Sequence, residues 1–239
     1  MLTADTVTKR FGDTTAVNKL ELSVQAGELF CLLGANGAGK TTTINLFLGF
    51  LAPDEGTVAV GGIEPAVDPR GARRQLAYIP ENVSLYPQLS GLENLKLFCQ
   101  MGGAKGDEAD LAELLGRTGL TLEQMNRPVG KYSKGMRQKV GLSIAYARGA
   151  GALLLDEPLS GLDPAAASDF CEELGRIRES GAAILMTTHD LFRAKELGGT
   201  IGIMRQGEMV ETLQAKEVDG RDLERLYLHH MRAGSGGAA

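Results

Sequence analysis

Three short apolar runs punctuate the chain, and each ends in polar residues. Glu28 to Leu33 (ELFCLL) breaks into the glycine-rich stretch Gly34 to Lys40, Ala152 to Leu155 (ALLL) ends in Asp156-Glu157-Pro158, and Ala183 to Met186 (AILM) ends in Thr187-Thr188-His189-Asp190. Runs of this length without polar alternation read as strands buried on both faces of a parallel sheet. Ligands of open α/β sheets bind beyond the C-terminal ends of such strands, where these polar residues fall. After the glycine loop, Thr41 to Leu51 carries Ile44, Leu46, Phe47, Leu48 and Leu51 and predicts a helix.

Between Glu81 and Met136 the apolar positions turn to helical periods, with Leu92, Leu95, Leu97 and Phe98 in one group and Leu111, Leu114 and Leu115 in another. Gly102-Gly103 and Arg127-Pro128 break the run, and no strong strand pattern appears. This block predicts a helical subdomain of about residues 82–150 inserted into an α/β core. Asp163-Pro164 supplies an N-cap and a first-turn proline for a helix running toward Ser180-Gly181. Ile201 to Met204 and Met209 to Thr212, joined through Arg205 to Glu208, predict a β-hairpin. The expected organisation is one domain over 1–232, with the small-residue end AGSGGAA (233–239) a flexible tail.

Composition removes several function classes. The 239 residues, 43% apolar and 23% charged, are those of a folded globular chain. A net charge of −5 argues against a surface that binds polyanions along its length, so no nucleic-acid partner is expected. Cys31, Cys99 and Cys171 are odd in number and far apart, which gives no disulfide framework or metal spacing and reads as thiols in a reducing cytosol. No stretch reaches the 18 or so apolar residues of a membrane span, so a membrane role would run through a partner.

The specific chemistry begins at Gly34-Ala35-Asn36-Gly37-Ala38-Gly39-Lys40-Thr41, which fits the pattern of Gly, four residues, then Gly-Lys-Thr, between a strand and a helix. Glycines let backbone N–H groups turn toward an anion, and the helix N-terminus adds positive field. Lys40 reaches β- and γ-phosphates, and the Thr41 hydroxyl ligates Mg²⁺. Asp156, at a strand end, suits holding the metal through water, and Glu157 beside it suits orienting or deprotonating an attacking water. Taken alone, an Asp-Glu pair reads equally well as a solvated turn, and a lone His189 as a structural residue; the phosphate loop gives both a functional meaning.

These residues together resemble the ATP-binding-cassette (ABC) ATPases over roughly Leu2 to Thr212. Gly34 to Thr41 resembles the Walker A loop, Leu153 to Glu157 the Walker B strand with its catalytic glutamate, and Ser160 to Asp163 the D-loop. His189 matches the switch histidine, Phe11 the aromatic that stacks on adenine, and Tyr132-Ser133-Lys134-Gly135-Met136 the family signature. The resemblance implies a P-loop α/β fold, an N-terminal antiparallel β portion and the helical insertion. It implies an ATPase with ATP and Mg²⁺ as cofactors. ATP contacts fall to Phe11, Gly34, Asn36, Gly37, Ala38, Gly39, Lys40, Thr41 and Thr42, with Ser133 and Gly135 capping the nucleotide of a second subunit. Catalysis falls to Glu157, His189 and Lys40, and the metal to Thr41, Glu81 and Asp156. Two departures stand out: Lys134 and Met136 occupy signature positions usually held by Gly and Gln, and Glu81 stands where the Q-loop glutamine is usual.

The implied role is the ATP-hydrolysing subunit of a transporter, energising export through a separate ABC-2-type membrane permease. Its expected partner cassette is a second identical or similar subunit, and its expected place is cytoplasmic, on the inner face of the bacterial membrane. Leu85, Tyr86 and Pro87 are the expected permease contacts. The alternative is a soluble cassette acting on nucleic acid or ribosomes. A single phosphate loop, a single signature and no long heptad insertion favour the transport motor.

Overall fold

The computed structural model describes residues 1–103 and 107–232; the expected flexible tail, 233–239, lies outside them. Among the described residues, nine strands form two sheets. The small one is antiparallel, ordered β2 (Thr14–Val24), β1 (Leu2–Phe11), β4 (Glu55–Val60). The large one runs β5 (Leu76–Ile79), β6 (Ala152–Asp156), β7 (Ala183–Thr188), β3 (Leu29–Leu33), β8 (Thr200–Arg205), β9 (Glu208–Gln214), parallel except for the terminal β8–β9 hairpin.

The three apolar runs become the centre of the large sheet, and their side-chain alternation divides two cores. Phe30, Leu32, Ala152, Leu154, Ala183 and Leu185 face the small sheet and helix α1 (Lys40–Phe47). Leu29, Cys31, Leu33, Leu153, Leu155, Ile184 and Met186 face the other layer. That layer is built by α6 (Lys134–Arg148), α7 (Pro164–Glu179), α8 (Leu191–Leu197) and α9 (Gly220–Arg232). Burial on both faces explains why these strands show no polar alternation until their last residues. Short α2 (Pro69–Gln75) leads directly into β5.

The expected helical insertion is present as α3 (Gly91–Met101), α4 (Glu108–Arg117), α5 (Leu122–Met125) and the first part of α6, packed on their own core of Leu95, Cys99, Leu111, Leu115 and Val140. Asp163 caps α7 by accepting from the Ala166 N–H at 2.9 Å, as its sequence position predicts.

Three details correct the sequence reading. Helix α1 stops at Phe47 rather than Leu51, because Gly49 adopts φ +68° and its N–H turns back to the Leu46 carbonyl. The hairpin strands are longer than expected, taking in Arg205 and Glu208. Finally, β5 is a strand that the short LAYI run did not announce.

Candidate active site

The C-terminal ends of β3, β6 and β7 meet at one rim, and the loop from Gly34 to Gly39 closes over it. Gly39 takes φ +110°, and a Cβ there would stand 2.4 Å from the Ala16 carbonyl oxygen and 2.7 Å from Met204 Cε. Only glycine fits this turn, which aims the first N–H groups of α1 into the cleft. The Lys40 side chain, 5% exposed, folds back along the loop. Its Nζ donates to the carbonyl oxygens of Gly34 at 2.6 Å and Ala35 at 3.2 Å, and lies 3.3 Å from Glu157 Oε1.

Asp156 ends β6 and is almost fully buried. It accepts the Thr187 hydroxyl at 2.6 Å and lies 3.5 Å from the Thr41 hydroxyl. Glu157, the next residue, is held at φ +47°, an uncommon conformation for a residue with a Cβ. Its N–H is fixed by the Thr187 carbonyl at 3.2 Å and the Thr187 hydroxyl at 3.0 Å. Its carboxylate lies between Lys40 on one oxygen and His189 Nδ1 on the other, at 2.8 Å. The result is a continuous chain, Lys40–Glu157–His189, that begins at buried Lys40 in the cleft and ends on exposed His189, which does not line it. Strain in the backbone and bonds to both oxygens hold the carboxylate in one direction, which suits a base that must meet a water at a fixed place.

The cleft has a volume of about 490 Å³. Phe11 stands at its edge, half exposed, with Asn36 to Thr42 forming one wall and Glu81, Asp156 and Glu157 another. Glu81 lines the cleft with Thr41 and Asp156, and its Oε1 lies 3.4 Å from Lys134 Nζ. Among the described residues no three His, Cys, Asp or Glu side chains group to hold a metal unaided. The Thr41 hydroxyl and the Asp156 carboxylate nevertheless offer two adjacent hard oxygens. That set fits Mg²⁺, which takes few protein ligands and completes its shell from phosphates and water.

Of the residues expected to act together, Gly34 and His189 border the cleft residues in sequence or by hydrogen bond but do not line the cleft, and Ser133 and Gly135 lie apart from it. Ser133 is the exposed N-cap of α6, its hydroxyl accepting from the Met136 N–H at 3.2 Å, and neither residue lines the cleft. Gly135 is packed so that a Cβ would sit 3.0 Å from that of Ala166. Two residues that position this site escaped the sequence reading. Thr187 fixes both Asp156 and Glu157, and its only signal was the polar end of an apolar run. Gln138, fully buried on α6, donates from Nε2 to the carbonyls of Pro80 and Glu81 at 3.3 and 3.0 Å.

The fold and rim define a P-loop nucleotide hydrolase with an inserted helical subdomain. Residues 17–160 match the family model described as ABC transporter. The linearmycin resistance ATP-binding protein LnrL of Bacillus subtilis is 34% identical over 212 residues, covering 88% of this chain and 68% of the relative. The Nod factor export ATP-binding protein I of Burkholderia lata is 36% identical over 205 residues, covering 85% and 67%. Among solved structures, an ATP-binding subunit of an ABC transporter superposes with TM-score 0.84 at 30% identity, covering 96% of this chain and 98% of that one. The cassette MJ0796, solved as a dimer bound to ADP and Pi, gives TM-score 0.79 at 24% identity, covering 90% and 99%. The chain belongs to the ABC transporter family, as its ATP-binding and ATP-hydrolysing subunit. No helix among the described residues is long and apolar enough to cross a membrane.

Proposed function

We propose that two copies of this chain, or one copy and a similar subunit, clamp two ATP molecules, each between the phosphate loop of one and Ser133-Gly135 of the other. The observation that carries this reading is that Ser133 and Gly135 do not line their own cleft, whereas Phe11 and Asn36 to Thr42 do; Ser133 stands exposed at the N-terminus of α6, its hydroxyl accepting from the Met136 N–H. Helix ends of this kind favour anions. A dimer is described for the cassette MJ0796, with ADP and Pi bound, which is consistent with a two-copy assembly.

In each cleft Phe11 offers a ring face to adenine, and the loop N–H groups with Lys40 hold the phosphates. Thr41 and Asp156, with Glu81 at the cleft wall, would hold Mg²⁺. When bound, that ion neutralises charge on the phosphate oxygens. Glu157 takes the proton of the attacking water. His189, 2.8 Å from the Glu157 carboxylate, keeps Glu157 aimed, and on this reading its role toward the transferred phosphoryl group follows once the second copy closes the site. Loss of the γ-phosphate removes the contacts that favour the closed pair, which reopens.

The cycle drives export through a separate ABC-2-type permease, with this subunit docked at the inner face of the bacterial membrane. The names of two relatives, for linearmycin resistance and for Nod factor export, support the export part of this assignment. Glu157→Gln tests the reading. It keeps shape and hydrogen bonding but removes the base, so the variant binds ATP, sediments as a dimer and loses hydrolysis by about 10²-fold or more. Near-parental turnover would reject Glu157 as the base, and a persistent monomer under saturating ATP would reject the clamp.

A further inference from the structure

One ion pair joins segments 53 residues apart in sequence and sits where the proposed clamp closes. Lys134 is the first residue of α6, next to Ser133. The N-terminal turn of a helix carries partial positive charge and disfavours cations. That turn of α6 has no acidic residue and holds Arg137 as well. Glu81 supplies compensation from outside, its Oε1 3.4 Å from Lys134 Nζ. The Lys134 side chain also runs past the turn that follows Glu157, where a Cβ on Gly161 would lie 4.0 Å from its Cδ and Nζ. Lys134 therefore stands at the meeting point of three segments: the Glu81 loop, the Ser133 turn and the Gly161 turn.

The backbone there is fixed while the two side chains are not. Gln138, buried one turn along α6, ties the Pro80 and Glu81 carbonyls to the same helix. The charged ends remain accessible, with Lys134 at 24% exposure and Glu81 at 48%. A pair this exposed is held weakly and yields to a stronger anion. On its other side Glu81 faces the cleft that contains Thr41, Asp156 and Glu157, and Lys134 does not line that cleft.

We propose that Lys134 is a switched cation: Glu81 holds it in the isolated protomer, and on closure it passes to the triphosphate bound on the second copy. Glu81 thereby acts as a brake on closure. The inference rests on the two-copy clamp and adds a specific charge exchange to it. No bond is made or broken; one ion pair is replaced by another.

The test uses the full-length chain in the Glu157→Gln background, with dimerisation under Mg·ATP followed by sedimentation velocity and ATP binding followed with a fluorescent analogue. Lys134→Gln weakens dimerisation by roughly tenfold or more, the loss expected for a charge-assisted contact, and flattens its salt dependence. Lys134→Arg retains both. Glu81→Gln, which frees the lysine, strengthens dimerisation by about threefold, the scale of an exposed pair, and this gain vanishes when Lys134 is also Gln. ATP analogue affinity of the isolated Lys134→Gln protomer stays at the parental value. Lys134→Gln dimerising like its parent, or Glu81→Gln giving an equal gain without the lysine, overturns the proposal while leaving the clamp intact. A parent that stays monomeric at saturating ATP removes the clamp and this exchange with it.

Discussion

At Gly39 the backbone φ and the surrounding atoms make the same demand, since the +110° conformation is strained for any residue with a Cβ and the space a Cβ needs is already filled by the Ala16 carbonyl. Gly39→Ala therefore costs more than about 2 kcal/mol, combining conformational strain with displacement of the β2 backbone. It shows as a lower urea midpoint together with loss of ATP analogue binding, and a variant with parental values for both would show that the loop adapts. The cysteines give a second case in which surroundings decide chemistry. Cys31 sits fully buried in β3 and burial pushes its thiol up to about 12, while Cys171 on α7 is raised to about 11, by burial first and by the carboxylate of Glu196 second. The thiolate is the reactive form. At pH 8 the native chain should leave Cys31 unmodified by iodoacetamide, with labelling appearing only in denaturant. Rapid native labelling of Cys31, read by peptide mass, would contradict the packing of β3.

Helix α3 begins with a reciprocal cap: the Ser90 hydroxyl accepts from the Glu93 N–H at 3.2 Å, and the Glu93 carboxylate accepts from the Ser90 N–H at 2.7 Å. Ser90→Ala removes one half of this and should cost about 1 kcal/mol of stability. Glu93 titrates below the ordinary glutamate value because the Ser90 backbone N–H, then its side chain, favour the charged form. A depressed carboxyl contributes stability that is present above its unfolded value, near 4.3, and is lost as pH falls through the folded value. The difference in urea midpoint between the parent and Glu93→Ala should thus narrow as pH is lowered from 7 to below about 4. A difference that is constant across that range would reject the cap as its source. Legibility in the sequence followed similar local logic. Strands β3, β6 and β7 were readable because burial on both faces leaves an unbroken apolar run. Strands β1 and β2 pair with repeated register shifts and carry exposed charges such as Arg10, so their period is lost. The Gly34–Thr41 loop was readable because its chemistry is contiguous, whereas Thr187 and Gln138 act only through groups brought near by folding.

The molecule as a whole links its nucleotide rim to an exposed apolar point on the helical subdomain. A ligand that binds only the folded chain stabilises it by mass action, so ATP analogue at 100 times its dissociation constant should add about 2.7 kcal/mol. For a chain of this size that raises Tm by roughly 5–10 °C, and absence of a shift would deny the cleft its ligand. The more telling link runs from Glu81 to Tyr86. Glu81 is tied to α6 through Gln138, and five residues later Tyr86 is tied to α3 through the buried side chain of Asn94. Asn94 accepts from the Tyr86 N–H at 2.8 Å and donates to the Tyr86 carbonyl at 3.1 Å. The Gly130 N–H holds the Pro87 carbonyl at 3.0 Å. Tyr86 is thus presented on a braced loop with 49% of its surface exposed, its ring tilted against Phe98. On the proposed transporter reading, this ring receives the permease, and motion of α6 during closure reaches it through two anchored backbones rather than a loose tether. Tyr86→Ala removes the ring and leaves both anchors, because they are made by the backbone. In membranes containing the permease it should lower the amount transported per ATP hydrolysed severalfold, with the affinity for ATP analogue unchanged. An unchanged ratio of transport to hydrolysis would place the docking point elsewhere on the subdomain.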